Sequence, residues 1–240
     1  MPWCPPTSPS TIPAGGSVQQ GLSAAYELRA FIEHRSAADK RYSFRQEAMK
    51  SSVPRAWLHL HYADPKRILS DLRRIAETHP LEEYDYKVQS LRTRELRKAH
   101  ESRQAALFAL GLGIALDTPV QYAHSENRDY DAIVRYQLVS GVNYLPVQLK
   151  EWVPDFLNPS ATLQNELDKL TKYVDSSDLA VAFYLNRDAT INIQDLRLPY
   201  DSVGGLWFFG CIDPTKEKWF ILGNMLIPGA RRHEFLYPAA

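Results

Sequence analysis

Two β-type segments stand five residues apart, YDAIVRYQL (130–138) and YLPVQLKEW (144–152), joined by VSGVN. So short a link closes an antiparallel hairpin, whereas a parallel pair needs a crossover of a dozen residues or more. In the second segment Leu145, Val147 and Leu149 take one parity, and Pro146, Gln148, Lys150 and Trp152 take the other. Gln148 and Lys150 therefore project side by side from one face. A turn centred on Gly141 sets Asp131 opposite residue 150 or 151, so a carboxylate, an amide and an ammonium converge. Val147 and Leu149 then face the other way with Ala132 and Val134.

Around this hairpin the chain changes character at Thr118-Pro119. Before it the periodicity is helical: residues 18–35, then PKRILSDLRRIAETH with Asp64 placed to cap and Pro65 in the first turn, then a long stretch from Tyr86 onward. After it come strands at 120–124, 130–138 and 144–152, and a helix over 160–174 with Leu163, Leu167, Leu170 and Val174 on one stripe. Further strands are expected at 179–186, 189–198, 206–212 and 218–227. The organisation expected is a Pro/Ser-rich tail (1–16), a helical amino-terminal region (17–90) and an α/β domain (91–240).

Several classes of protein fit poorly. A membrane-spanning helix needs about 18 apolar residues, and the longest run, AALFALGLGIAL at 105–116, falls short. The first residues lack the basic start and apolar block of a secretory signal. Cys4 and Cys211 form neither a metal-ligand spacing nor a redox pair, so a reducing, cytoplasmic setting is expected. The paired histidines of HLHY (59–62) lack the i, i+4 spacing of a helical metal site, and no nucleophile elbow or phosphate loop occurs. Trp57, Trp207 and Trp219 read as core strand residues.

Lys plus Arg equals Asp plus Glu at 28 each, but residues 35–104 hold 16 basic against 10 acidic residues. That local excess suits a polyanion. Within it, Arg94, Arg97 and Lys98 are the candidates for phosphate contacts.

The hairpin trio has a chemical use. Mg²⁺ or Mn²⁺ takes oxygen ligands and keeps several waters, so Asp131, the Gln148 side-chain oxygen and the Leu149 carbonyl can supply part of an octahedron. Lys150, on the same face as Gln148, can orient or deprotonate an attacking water and offset charge in a phosphorane-like transition state. Glu101 is the candidate second acid, because it shares a helical stripe with Ala105, Phe108, Ala109 and Leu112. Glu126, in the turn before Asp131, is the alternative.

The order of helix with Glu101, strand VQYAH, strand with Asp131, strand with PVQLKEW, helix LQNELDKLTKY and strand LAVAFYLN resembles the restriction-endonuclease-like superfamily. That superfamily is named for its Pro-Asp…(Asp/Glu)-x-Lys motif. Tyr130 stands where the motif has proline, and Gln148 where it has Asp or Glu, a Gln-x-Lys form similar to the Mrr-type branch of DNA endonucleases. The resemblance covers about residues 100–187 and implies a mixed central sheet flanked by helices. It also implies metal-dependent hydrolysis of a nucleic-acid phosphodiester, DNA in preference to RNA, with Asp131, Gln148, Lys150 and Glu101 catalytic. The alternative function is an inactive module of the same fold that binds nucleic acid or a protein.

Overall fold

The computed structural model describes residues 53–79, 83–125, 127, 129–173 and 176–240, which all belong to one compact unit. The expected tail, the first expected helix, Glu126 and Val174 lie outside the described residues. The class is α/β: seven strands form one mixed sheet in sequence order.

Helix α1 (Arg55–Leu58) is a single turn, and α2 (Pro65–Thr78) begins where the sequence indicates, with Asp64 accepting a bond from the Lys66 N–H. Trp57 thus lies on a helical turn rather than in a strand. The long helix expected from Tyr86 is divided. A short α3 (Tyr86–Gln89) ends before Leu91, whose φ is 59°, and α4 (Arg97–Leu116) starts afresh. Every residue of α4 from Gln104 to Leu112 is buried, because α2 and the sheet enclose it. Gly111 permits this approach: a Cβ there would stand 2.9 Å from the Phe235 ring. Among the described residues no helix is long and apolar enough to cross a membrane.

Strands β1 (Val120–His124), β2 (Ala132–Leu138) and β3 (Gly141–Trp152) form an antiparallel meander. The β2–β3 turn is Val139-Ser140, with Leu138 paired to Gly141. Gly141, at φ 123°, is the first residue of β3 rather than the centre of the turn. Ala132 consequently pairs with Val147, and the position opposite Asp131 is Gln148 instead of residue 150 or 151. Pro146 fits inside β3 because odd-numbered residues there direct their backbone groups at β2. Its missing N–H faces the other side, ahead of the point where β4 starts pairing at Val147.

A crossover through α5 (Leu163–Asp168) and a 3₁₀ turn (Lys169–Lys172) leads to β4 (Ser176–Leu185), parallel to β3. The helix is shorter than expected, but Leu163, Leu167 and Leu170 are buried as its stripe requires. Residues 189–198 are not a strand. Asn192 caps a 3₁₀ turn at Ile193–Asp195, which shifts the parity between Ile191, Ile193 and Leu196, Leu198, and all four lean on the core as a loop. Strands β5 (Val203–Cys211), β6 (Lys218–Gly223) and β7 (Arg231–Leu236) complete the sheet, with β5 parallel to β4. Helices α2 and α4 cover one face, and α5 with the 189–198 loop covers the other.

Candidate functional site

The hairpin register decides the site. Asp131 sits one step before β2, and the backbone of β3 runs past it. The Asp131 N–H donates to the Val147 carbonyl at 2.9 Å, so Leu149, two residues on, also directs its amide and carbonyl at Asp131. With no further β2 residue to accept it, the Leu149 N–H donates to Asp131 Oδ2 at 2.7 Å. The Gln148 amide Nε2 donates to the same oxygen, and reaches the Leu149 carbonyl at 3.4 Å. Gln148 is only 8% exposed, and its contact with the half-buried Asp131 is partly screened from solvent.

Charged groups gather around this carboxylate. Burial raises the Asp131 carboxyl above its ordinary range, and the Glu101 charge adds to the rise. The Leu149 N–H, Lys150 and Arg97 pull the other way. Burial lowers the Lys150 ammonium against the pull of Asp131 and Glu166. Burial also lowers His124, at the end of β1, although Glu101 and Asp131 favour its charged form. Tyr173 feels Asp131 from the end of the 3₁₀ turn.

The structure therefore brings Asp131, Gln148, Leu149 and Lys150 together. Glu101 lies near enough to act on Asp131, but it is 35% exposed and ion-paired with Arg97 at 2.8 Å, a partnership its i−4 spacing allows. Arg97 and Lys98 border the site, since one acts on Asp131 and the other on His124. Arg94 is exposed in the turn ahead of α4. Tyr130, in place of the motif proline, receives a bond from the Trp57 indole at 3.0 Å and stacks edge-on against it.

The oxygen donors suit a hard cation better than a soft one: Asp131 Oδ1, the Leu149 carbonyl and, if its amide turns about the terminal bond, Gln148 Oε1. No cluster of three or more His, Cys, Asp or Glu side chains able to hold a metal exists among the described residues. The set fits a cation that keeps most of its water and is completed by phosphate oxygens, not a tightly held structural metal.

A second polar group was not foreseen. Glu151, next to Lys150 but on the opposite face, pairs with Arg92 and with His100 at 3.3 Å, and accepts bonds from Gln104 at 3.2 Å and Asn186 at 2.7 Å. Burial alone would raise its carboxyl, but the bonds from His100 and Asn186 and the Arg92 charge hold it below its ordinary value. One signal was present in the sequence: a carboxylate on the parity of Val147 and Leu149, both core residues.

Comparisons with protein-family models, curated proteins and solved structures find no match to this chain.

Proposed function

We propose that this chain is a divalent-cation-dependent phosphodiesterase of nucleic acid, DNA in preference to RNA, on a restriction-endonuclease-like core. The observation that carries the reading is the Asp131 carboxylate held between the Gln148 side chain and the Leu149 N–H, with Lys150 and Glu101 acting on it. The order α4, β1, β2, β3, α5, β4 is consistent with such a core.

Asp131, the Leu149 carbonyl and Gln148 would hold Mg²⁺ or Mn²⁺. When bound, the ion supplies a polarised phosphoryl oxygen and a more acidic water. Lys150, made less basic by burial, accepts the proton of the attacking water at Nζ and, once charged, offsets the negative charge growing on the phosphorane oxygens. Arg97 and Lys98 hold the flanking phosphates. A second reading, a module that binds without cutting, is favoured by one contact: Gln148 satisfies Asp131 as a donor, where a carboxylate would have shared a cation with it.

Calorimetric titration of Mn²⁺ in the presence of a phosphodiester analogue tests the cation site. Asp131→Asn should weaken binding about tenfold or more, since it removes the one committed carboxylate. Equal affinities for wild type and variant would refute it.

A further inference from the structure

At the end of the sheet where β2 begins and β3 finishes, two rings stand in solvent. Tyr86 and Phe156 meet edge to face, with centroids 4.8 Å apart and an interplanar angle of 81°. Tyr86 is 39% exposed and Phe156 is 61% exposed, and this is the only aromatic pair among the described residues with both rings exposed. Tyr84 and Leu157, their neighbours in the chain, are exposed as well.

The pair is mounted rigidly. Asp85 caps α3 through the Lys87 and Val88 N–H groups, and His100 Nδ1 lies 3.1 Å from the Ser90 carbonyl. The Arg92–Glu151 ion pair fastens the same segment to β3. On the other side Arg187 donates to the Val153 carbonyl at 3.1 Å and the Ala161 carbonyl at 2.7 Å, which fixes the turn carrying Phe156. Rings held this way lose little freedom when a ligand stacks on them.

A purely apolar partner does not account for the surroundings. Residues 84–98, YDYKVQSLRTRELRK, interleave aromatic and basic side chains, with five Lys/Arg against two Asp/Glu. Lys87, Arg94, Arg97 and Lys98 are exposed along the segment that joins Tyr86 to the first turn of α4, where Arg97, ion-paired with Glu101, acts on Asp131. Aromatic faces beside a phosphate-binding track match nucleic acid whose bases are unpaired. Inside a duplex those base faces are covered by their neighbours.

We propose that Tyr86 and Phe156 form a stacking platform for an unpaired base, so that the substrate is single-stranded or carries a single-stranded stretch beside the site. This rests on the nuclease reading for its polyanion, and on the ring pair for its strand requirement. Stacking on a ring face is open to every base, so the platform would select for unpaired bases with little dependence on sequence.

The test is fluorescence anisotropy of the full chain in EDTA, with labelled single-stranded DNA, single-stranded RNA and a DNA duplex of the same sequence. Single strands should bind tighter than the duplex. Tyr86→Ala and Phe156→Ala should each weaken single-strand binding on the order of tenfold, with little change for the duplex, and Phe156→Trp should retain it. Equal wild-type affinity for single strands and duplex, or single-strand binding unchanged in the double alanine variant, overturns the proposal while leaving the hydrolytic reading standing. Failure to bind any of the three ligands overturns both.

Discussion

Gln148→Glu is the most informative single change, because its effect has opposite signs with and without a cation. In the protein the Gln148 amide donates to Asp131 Oδ2 from an 8% exposed position. Replacing that donor by a carboxylate removes a hydrogen bond to a charged group, about 1.5–3 kcal/mol. It also sets two like charges roughly 4 Å apart, a repulsion of about 4 kcal/mol at an intermediate dielectric. Uptake of one shared proton relieves part of this, so a net cost on the order of 3–5 kcal/mol is expected. For a chain of this size, that is a fall of about 10 °C in Tm. The shared carboxyl has a folded pKa above its unfolded value, so the cost is absent below the unfolded pKa. It grows as pH rises and is complete above the folded pKa. Thermal melts in EDTA should therefore show the variant close to wild type at about pH 4 and clearly less stable at about pH 8. Millimolar Mg²⁺ or Mn²⁺ should restore it, because the cation then sits between two carboxylates. A variant as stable as wild type at the higher pH in EDTA, or one that divalent ions do not restore, would refute this account of the Asp131–Gln148 contact.

Glu151→Gln should cost about 3–5 kcal/mol in urea denaturation, since it leaves the Arg92 guanidinium partly buried without its counter-charge. The wild-type carboxyl is held below its ordinary value, so its stabilisation is present above the unfolded pKa and is lost as pH falls through the lower folded pKa; the variant's acid limb should be flatter. Nucleic-acid affinity should fall with salt, and neutralising Arg97 and Lys98 together should reduce the slope of log K against log salt by about 2. An unchanged slope would remove both residues from the phosphate track.

What the sequence revealed depended on how local the cause was. The Asp64-Pro65 start of α2, the Leu163, Leu167, Leu170 stripe and the parity of Gln148 and Lys150 are set within one element, and all are found. Register was missed because a single glycine decided it: Gly141 takes its positive φ after the turn, which moves every β2–β3 pair. Residues 189–198 alternate in two short pieces, 191/193 and 196/198, because a half-buried loop also needs apolar contacts, and Asn192 accepts from the Gln194 N–H in competition with a ladder. Strand β7, with Arg231, Arg232, His233 and Glu234, carries the charges of a sheet edge and so hid its β character. At the site, parity showed which residues share a face. The partners of Glu151, reached from 59 residues away by Arg92 and 51 by His100, could come only from the fold.

Hydrolysis at the Asp131–Lys150 site is tested most directly by the rate of cleavage of labelled DNA and RNA, single-stranded and duplex, by wild type and Lys150→Met with Mg²⁺ or Mn²⁺. Wild type should cut only with the divalent ion, and faster as pH rises through the lowered pKa of Lys150. Lys150→Met should be slower by about 10²–10⁴ with its melting transition retained. Cleavage undiminished in Lys150→Met, or no cleavage of any of these substrates by wild type with either ion, would contradict the account.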